Sequence, residues 1–393
     1  MRITHVVYDF SPDKYPGGIP KVVYELACQQ VKDGHQAYIY TPQLLGGQLG
    51  LSDKPFRSEE GFVVYTPQSM GGMKSTDCIR QLARESDVIH GHNTYLPLNR
   101  YTVAAGRESN VPVYFHVHGA LDPEAVKMGV TKAMKKQAYI RLVERRNLNR
   151  ARCVFALTQD EKRQIQGWGI NSPIAVVPNG INPFIEPTEE ERQRFINAHK
   201  GFDDSETILY LGRINPKKAI EVLIDAFAII SGSCRSVRLV IAGDREECPA
   251  YTRKLDVLIK SHALEERITW TGFVGEVEKR SLLAHANVFS HATYSEGMAM
   301  SILEAMSAGL PTVVSSGCYM NRAVERGAAI CAEMNASSLA GILKLLLGDA
   351  DLREEFGRRA KNYVRAQHNW EVISRQITEH YSCSLITAGV NHT

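Results

Sequence analysis

The sequence predicts an α/β protein made of two tandem, doubly wound domains that face each other across a cleft. Its 393 residues exceed the size of one ordinary domain. Short β-rich runs alternate with helical stretches over almost the whole length, and the alternation breaks once, in a polar segment near the middle. Alternation of this kind favours parallel sheets covered by helices, which bind ligands beyond the carboxyl ends of their strands.

The first domain is expected to span residues 1–185. The first helix is predicted over residues 20–34, where Val22, Val23 and Leu26 share one face and Gly34 marks the end. The strand candidates of this domain are residues 3–9, 37–42, 62–66, 87–92, 111–118, 153–158 and 174–180.

The break falls at residues 186–205, a polar stretch that we interpret as a linker. The second domain is expected over residues 206–369, and a final helix at 370–393 could pack back on the first domain. The strand candidates of the second domain are residues 207–214, 237–244, 268–273, 288–293, 311–316 and 328–332.

Composition narrows the class of protein. Hydrophobic residues make up 44% and charged residues 23%, as in globular enzymes. No apolar run approaches the roughly 18 residues of a membrane span. The N-terminus enters a strand pattern directly, which argues against a signal peptide. The eight cysteines are scattered, which indicates reduced thiols, so we expect a cytoplasmic protein.

The charge is distributed unevenly. Residues 127–152 contain nine lysines and arginines against one acid, Glu144, so this segment carries +8 within a chain of net charge +3. A basic helix suggests docking on an anionic membrane surface, on the inner face of the membrane. In the alternative, Val130, Met134, Leu142 and Val143 pack on their own sheet and the cations are merely solvated. Nucleic-acid binding is not expected, because no aromatic platform accompanies the charge.

The most informative motif lies at residues 291–316. Glu296 follows a strand, and Glu304 comes eight residues later in the next helix. Gly297 leaves the backbone accessible, and the amides from Met300 onward are expected at a helix N-terminus, which favours anions. Because carboxylates accept hydrogen bonds from hydroxyl groups, the pattern suits a sugar nucleotide.

Two further motifs suit phosphate. Arg213 follows a strand and Lys218 opens the next helix, so both cations could neutralise a diphosphate. Gly17 and Gly18 lie between the first strand and the first helix, where paired glycines allow close approach of a phosphate or a sugar.

In this order, the Gly-Gly turn, HVHGALDP, VVPNGIN, LGRINPKKAIEVLIDAF, LVIAGD, TGFV and EGMAMSILE resemble glycosyltransferase family 4. That family comprises retaining transferases with two Rossmann-like domains, the GT-B fold. The stretches HGALDPEAV, ERRNLNRA, LTQDE and VVPNG resemble bacterial exopolysaccharide glycosyltransferases in particular.

The resemblance implies roles for the residues named above. Glu304 would hold the ribose hydroxyls and Glu296 the donor hexose, while Arg213 and Lys218 would hold the diphosphate. His118 would lie beside the reacting sugar. These roles make His118, Glu296, Arg213 and Lys218 the expected catalytic residues.

The remaining donor contacts come from the same motifs. Amides near Ser301, Ile302 and Gly18 would assist with the diphosphate, and the backbone around Val274 would contact the base. Neighbouring positions complete the expected donor site: Gly17, Gly297, Met298 and Met300. Ala299 and Ala219 depart from the family pattern, which commonly has Gly or Pro at the first position and Gly at the second.

The implied activity is metal-independent transfer of a hexose, with retention, to a polysaccharide or lipid-linked saccharide. UDP-glucose is the favoured donor because it is frequent in the family. No cofactor is expected. An epimerase of the same architecture acting on a nucleotide sugar is the nearest alternative, and a sugar-nucleotide-binding protein without activity is a third.

Paired histidines leave a different class open. His90 with His92, and His116 with His118, form two H-x-H pairs at strand ends, and alternate residues of a strand face one side. Each pair could present two imidazoles to a metal in a hydrolase. Otherwise we expect a buried, hydrogen-bonded His116 and a His92 that contacts the acceptor, and both are assigned to acceptor binding.

One acidic pair resembles a metal motif. Asp349 and Asp351 have D-x-D spacing but lie between two predicted helices, so we interpret them as N-capping residues without a catalytic role.

Overall fold

The computed structural model describes residues 1–11, 18–45, 53–92, 94–127, 130–198, 205–234 and 236–387. The chain forms two compact units. Unit 1 comprises Met1–Gly180 together with Trp370–Thr393, and unit 2 comprises Ile181–Asn369. Both are α/β units with predominantly parallel sheets, so the predicted fold class is confirmed.

Unit 1 is built on a sheet that contains eight strands within the described residues, in the order β10-β9-β8-β7-β1-β3-β6-β5. All neighbours pair in parallel except β5 with β6. The strands of this sheet are β1 (Arg2–Val6), β3 (Gln36–Tyr40), β5 (Phe56–Arg57), β6 (Val63–Tyr65), β7 (Val88–Gly91), β8 (Val113–His116), β9 (Cys153–Ala156) and β10 (Ile174–Val176). A separate parallel pair consists of β2 (Asp9–Phe10) and β4 (Gln43–Leu44).

Helices cover this sheet. Every residue of β7, β8 and β9 is buried, as expected for parallel strands covered on both faces. The helices are α1 (Gly18–Lys32), α2 (Ser75–Arg84), α3 (Pro97–Ser109), α4 (Pro123–Lys127), α5 (Val130–Tyr139), a π-helix (Ile140–Glu144), α6 (Arg145–Leu148) and α7 (Gln159–Gly167), with a 3-10 turn at Gln68–Met70.

Unit 2 repeats the plan with a six-stranded parallel sheet in the order β13-β12-β11-β14-β15-β16. Its strands are β11 (Thr207–Leu211), β12 (Arg238–Ala242), β13 (Ile268–Gly272), β14 (Val288–His291), β15 (Thr312–Ser315) and β16 (Ile330–Ala332). Its helices are α8 (Glu189–Ala198), α9 (Ile220–Ser231), α10 (Pro249–Ser261), α11 (Glu276–His285), α12 (Met300–Ser307), α13 (Asn321–Glu325), α14 (Ala336–Gly348) and α15 (Ala350–Gln367), with 3-10 turns at Pro216–Lys218 and Ser316–Cys318.

The segment predicted as a linker, residues 186–205, contains a helix where the structure describes it. Helix α8 belongs to unit 2 and buries Phe195. Thr188 and Glu191 form reciprocal hydrogen bonds at its start, with Glu191 N donating to Thr188 Oγ1 at 3.2 Å and Thr188 N donating to Glu191 Oε2 at 2.8 Å. This capping box explains why a polar stretch folds as a helix.

The last helix, α16 (Trp370–Thr387), belongs to unit 1, the alternative that the sequence analysis names. Ser374 Oγ donates to Asp33 Oδ2 at 2.6 Å, and Tyr381 Oη lies 2.7 Å from His90 Nδ1. Gly180, the last residue of the first segment of unit 1, packs against the ring of Trp370, where the chain returns to this unit. The contact leaves no room for a side chain, since a Cβ on Gly180 would lie only 2.3 Å from the Trp370 ring.

The basic segment, residues 127–152, does not pack on the sheet through all of the apolar side chains named for it in the sequence analysis. Met134 is 71% exposed and Leu142 61% exposed, so neither packs on the sheet. The buried face is formed instead by Ala133, Ile140 and Leu148. None of the helices in the described part of the chain combines the length and the apolar character needed to cross a membrane.

Candidate functional site

In unit 2 the turn after β11 positions the two predicted diphosphate-binding cations. Asn215 Oδ1 accepts from Lys217 N at 3.1 Å and so caps the 3-10 turn that ends at Lys218. The Lys218 side chain is only 6% exposed. Arg213 differs, because its side chain is 64% exposed and its Nη1 lies 3.3 Å from Glu247 Oε1.

The segment after β14 is tied to this turn by backbone contacts. Thr293 Oγ1 and Tyr294 N both donate to Lys217 O, at 2.9 and 3.0 Å. Since these bonds align the two segments, Glu296 reaches Lys218, and the Lys218 ammonium donates to Glu296 Oε2. The structure therefore pairs two residues that the sequence analysis assigns to different parts of a donor.

The electrostatics of this pair follow from its burial. Burial alone would raise the pKa of Glu296, but the positive charge of Lys218 lowers it to about 2. The carboxylate is therefore charged at neutral pH, and each partner compensates the charge of the other.

His291, the last residue of β14, is a member of this site that sequence analysis missed. Its ring stacks on Tyr210 with centroids 5.3 Å apart, and neither ring nitrogen has a hydrogen-bond partner within the described residues. Burial and the nearby charge of Lys218 lower its pKa to about 3, so the ring is neutral. A histidine at the carboxyl end of a strand, five residues before Glu296, is the signal that could have found it.

The start of α12 differs in one respect from the prediction. Ala299 is the N-cap residue and gives no side-chain hydrogen bond to the helix. Gly297 and Met298 are buried, whereas Met300 and Ser301 are half-buried. Ile302 N donates to Ala299 O at 3.1 Å and its side chain is fully buried, so an anion at this helix start would have to share the Ile302 amide with that bond.

Glu304 lies on α12 and faces α11. Lys279 Nζ lies 2.8 Å from Glu304 Oε1 and 2.7 Å from Glu276 Oε2. Burial alone would lower the pKa of Lys279, but the two carboxylates raise it above the ordinary value. Val274 precedes α11 and is half-buried, and the neighbouring Gly272 has a φ of 73°, which glycine adopts without strain.

Three predicted residues of unit 1, His92, His116 and His118, belong to a cluster of five histidines that also contains His5 and His90. The strand expected to end at His118 ends at His116 instead, and His118 takes a left-handed conformation with a φ of 50°. His92 Nδ1 lies 3.2 Å from His118 Nε2, and His116 Nε2 lies 3.3 Å from Val177 O. Gly18 begins α1, and Gly17 lies outside the described residues.

Two triads in this cluster have ligand atoms within 4.8 Å of one another: His5, His90 and His92, and His92, His116 and His118. No carboxylate joins either triad in the described ranges. The all-nitrogen donor set lacks the carboxylate that accompanies histidine in many catalytic zinc sites.

A backbone contact holds the His118 turn. Glu161 accepts hydrogen bonds from Gly119 N and from Leu157 N, the latter at 2.5 Å. Burial raises the pKa of Glu161 to about 7 against the opposing effect of these bonds. The left-handed backbone at His118 and Gly119 is thereby fixed by a buried side chain from α7.

Comparison with known proteins identifies two sequence families. "Glycosyl transferase 4-like domain" matches residues 17–180, and "Glycosyl transferases group 1" matches residues 191–363. Alpha-D-kanosaminyltransferase of Streptomyces kanamyceticus is 25% identical over 290 residues, covering 72% of this chain and 73% of the relative. Alpha-monoglucosyldiacylglycerol synthase of Streptococcus pneumoniae is 22% identical over 365 residues, covering 88% and 79%.

Solved structures share the fold of the whole chain. Anabaena Alr3699/HepE in complex with UDP-glucose superposes with a TM-score of 0.79 at 21% identity, covering 98% of this chain and 100% of that one. Sucrose-phosphate synthase from Thermosynechococcus elongatus gives a TM-score of 0.75 at 19% identity, covering 98% and 99%.

Proposed function

The chain belongs to the family 4-type glycosyltransferases with the GT-B fold, and from this premise we propose that it transfers a hexose, with retention, from a nucleotide-diphosphate sugar to a saccharide or lipid-linked saccharide. UDP-glucose is the proposed donor, supported by the UDP-glucose complex of the Anabaena protein. The buried Lys218–Glu296 pair carries the proposal, because it places a cation, which can bind phosphate, beside a carboxylate that can accept hydrogen bonds from sugar hydroxyl groups.

Unit 2 binds the donor in this proposal. Lys218 and Arg213 neutralise the diphosphate as it leaves, so no metal is required. Glu304 accepts from the ribose hydroxyls and Glu296 from the hexose, both as charged carboxylates. The backbone near Val274 contacts the base.

Backbone amides at two helix starts are also part of the proposed donor site. Ser301, Met300 and Gly297 lie where α12 begins, and Gly18 begins α1 in unit 1. Uncapped amides at a helix start favour anions, and the absence of a side-chain cap on α12 fits this role.

Unit 1 binds the acceptor and supplies His118 beside the reacting sugar. The acceptor hydroxyl attacks on the face from which the nucleoside diphosphate leaves, which retains the anomeric configuration. The C–O bond to the phosphate breaks, the bond to the acceptor oxygen forms, and the acceptor proton passes to the departing phosphate oxygen. His92 and His116, which the sequence assigns to acceptor binding, are 0% and 2% exposed, so in this proposal they lie behind His118 and do not contact the acceptor themselves.

Calorimetric titration with UDP, GDP and ADP, each with and without EDTA, tests the donor. We expect EDTA-insensitive binding of UDP, weakened roughly 10- to 100-fold by Glu304→Gln, the loss for one hydrogen bond to a charged group. Glu354→Gln, on the exposed side of α15, is the matched control and should leave binding unchanged. Binding of none of the three nucleotides, or binding abolished by EDTA, would contradict the proposal.

We further propose that the basic segment docks on an anionic membrane surface, near a lipid-linked acceptor. The exposed apolar side chains of Met134 and Leu142 are flanked by exposed cations: Lys135, Arg141, Arg145 and Arg146. The one acid of this segment, Glu144, is fully buried, and burial raises its pKa to about 7 against hydrogen bonds from Asn99 and Asn147. The outward face is therefore cationic and apolar, which suits an anionic lipid interface.

Flotation with liposomes of phosphatidylglycerol and of phosphatidylcholine tests the docking. The double variant Met134→Ser/Leu142→Ser should reduce binding to anionic liposomes, whereas Val257→Ser/Leu345→Ser, which changes equally exposed apolar residues of unit 2, should not. Equal binding to both lipids, or equal loss in both double variants, would remove the docking surface.

A further inference from the structure

A row of three imidazoles leads from helix α1 to His118 inside unit 1. Gln30 Oε1 lies 2.7 Å from His5 Nε2, His5 Nδ1 lies 2.9 Å from His92 Nε2, and His92 Nδ1 lies 3.2 Å from His118 Nε2. Gln30, His5 and His92 are all fully buried. We call these four residues the imidazole chain.

The Gln30 amide oxygen at one end of the imidazole chain fixes the direction of its hydrogen bonds. An amide oxygen only accepts, so the proton of His5 is on Nε2 and its Nδ1 is a lone pair. His92 Nε2 must then carry the proton that His5 Nδ1 accepts. By the same step, His118 Nε2 donates to His92 Nδ1, which leaves the lone pair of His118 on Nδ1.

Each histidine of the imidazole chain carries one ring proton, because burial disfavours the doubly protonated, charged ring. Burial lowers the pKa of His5 to about 4 and the pKa values of His92 and His118 well below the ordinary value. The rings are therefore neutral at neutral pH, with one donor and one acceptor nitrogen each.

The other two histidines of the cluster have separate partners. His90 Nδ1 lies 2.7 Å from Tyr381 Oη, and burial raises the pKa of Tyr381 well above its ordinary value, so the phenol keeps its proton. His116 Nε2 faces Val177 O. Neither bond uses a ring nitrogen of His5, His92 or His118, but Tyr381 also hydrogen-bonds the Gln30 side chain, so His90 is linked through Tyr381 to the first residue of the imidazole chain.

We propose that Gln30, His5 and His92 are positioning residues that hold His118 in a single tautomer, with its proton on Nε2 and its Nδ1 lone pair directed to a sugar hydroxyl. No hydrogen bond to His118 Nδ1 occurs within the described residues, and the side chain is only half-buried. The role toward a sugar rests on the proposed function, whereas the tautomer of His118 does not.

The tautomer is measurable without substrate. Long-range ¹H–¹⁵N correlation spectra of protein labelled with ¹⁵N-histidine distinguish protonated from unprotonated ring nitrogens. For the full chain at neutral pH, we expect His118, assigned by its loss in His118→Gln, to be protonated on Nε2 alone. Protonation on Nδ1, or a mixture of both tautomers in the unsubstituted protein, would overturn the proposal.

Substitution of the remote end tests the coupling. Gln30→Leu removes the acceptor for His5 Nε2, so both tautomers should appear at His92 and His118. Thr102→Val, an equally buried change in α3 that removes a hydrogen bond to Leu98 O, should leave His118 unaltered. A His118 signal unaffected by Gln30→Leu, or stoichiometric uptake of Zn²⁺ with loss of the chain's ring protons, would contradict it. Should Gln30→Leu not fold, His5→Phe breaks the same chain one step later.

Kinetics connect the tautomer to transfer. With UDP-glucose, Gln30→Leu should lower kcat roughly two- to tenfold at unchanged donor KM, because only part of the population holds the competent tautomer. Equal kcat with a mixed tautomer would overturn the positioning role. If the spectra show the expected tautomer but the unsubstituted protein transfers no sugar, the proposed function fails and the imidazole chain stands.

Discussion

Lys218 and Glu296 form a buried ion pair although they are 78 residues apart in the chain. Lys218 ends the turn after β11, and Glu296 follows β14, the neighbouring strand of the same sheet. Adjacent parallel strands end at the same edge, so their loops meet there. The Glu296 carboxylate stays ionised in a buried place because the Lys218 ammonium compensates its charge.

Removal of one partner should therefore cost more than removal of both. Lys218→Met leaves an uncompensated carboxylate at Glu296 and should lower the free energy of unfolding by about 3 to 5 kcal/mol. The double variant Lys218→Met/Glu296→Gln should recover part of that loss. Urea unfolding followed by circular dichroism measures this cycle, and strictly additive losses would show that the pair does not compensate.

Acid should weaken unit 1 through its buried histidines. Burial lowers the pKa values of His5 and His116 to about 4 from an ordinary 6.5. The unfolded chain binds their protons first as the pH falls, so stability present above pH 6.5 is lost between 6.5 and about 4. The loss is on the order of 3 kcal/mol for each ring.

Two carboxyl groups of unit 1 oppose this trend. Burial raises the pKa values of Glu144 and Glu161 to about 7, so the folded state binds their protons first and gains stability as the pH falls from 7 to 4.5. The five histidines of the cluster and His35 all have lowered pKa values, and together they outweigh the two glutamates, so the net change is destabilising. His116→Gln should flatten the dependence of unfolding free energy on pH between 7 and 5, and an unchanged slope would contradict the assignment.

The sequence predicts the strands well because a parallel strand buried on both faces is a continuous apolar run. It misses β2, β4 and β5, because each of these strands has only two residues and is too short to show an alternation of apolar and polar positions. The sequence of helix α8 is typical of a linker because the helix buries little, with only Phe195 buried among its described residues. The Thr188-x-x-Glu191 capping box was the local signal for it.

The candidate site is harder to predict than the strands because its geometry depends on which charged side chains pair with each other. Charge type and strand ends single out Lys218, Glu296 and Glu304, but nothing in their spacing says that Lys218 reaches Glu296 or that Glu304 reaches Lys279. Those pairings arise from the order of strands in the sheet. His5 was passed over for a related reason, since a histidine inside a strand has no distinctive pattern.

Gly317 should tolerate no larger residue, because it packs against the segment that carries Glu296. A Cβ there would lie 2.2 Å from Thr293 O and 2.8 Å from the Tyr294 backbone. Gly317→Ala should displace this segment, lower the unfolding free energy by about 1 to 3 kcal/mol and weaken UDP binding.

Gly341 provides the control within α14. A Cβ at this helical position meets no atom within 4 Å, so Gly341→Ala should stabilise the protein by about 0.5 to 1 kcal/mol and leave UDP binding unchanged. Thermal unfolding and calorimetric titration of the two variants distinguish a steric clash at Gly317 from a general effect of replacing glycine by alanine. Changes of the unfolding free energy in the same direction in both variants would contradict the clash at Gly317.

Asp349 and Asp351 have metal-motif spacing, but Asp349 caps a helix. Its Oδ1 accepts from Leu352 N at 2.9 Å at the start of α15, as Asn335 Oδ1 accepts from Ser338 N at 2.8 Å at the start of α14. Asp349→Ala should therefore cost about 1 kcal/mol of stability, similar to Asn335→Ala, whereas Asp351→Ala should cost only the smaller dipole contribution. A metal site would need both carboxylates. Loss of UDP binding in either aspartate variant, measured with and without Mn²⁺, would therefore assign the pair a role in the donor site. Unchanged UDP binding together with a larger loss of stability in Asp349→Ala than in Asp351→Ala would identify Asp349 as a helix cap.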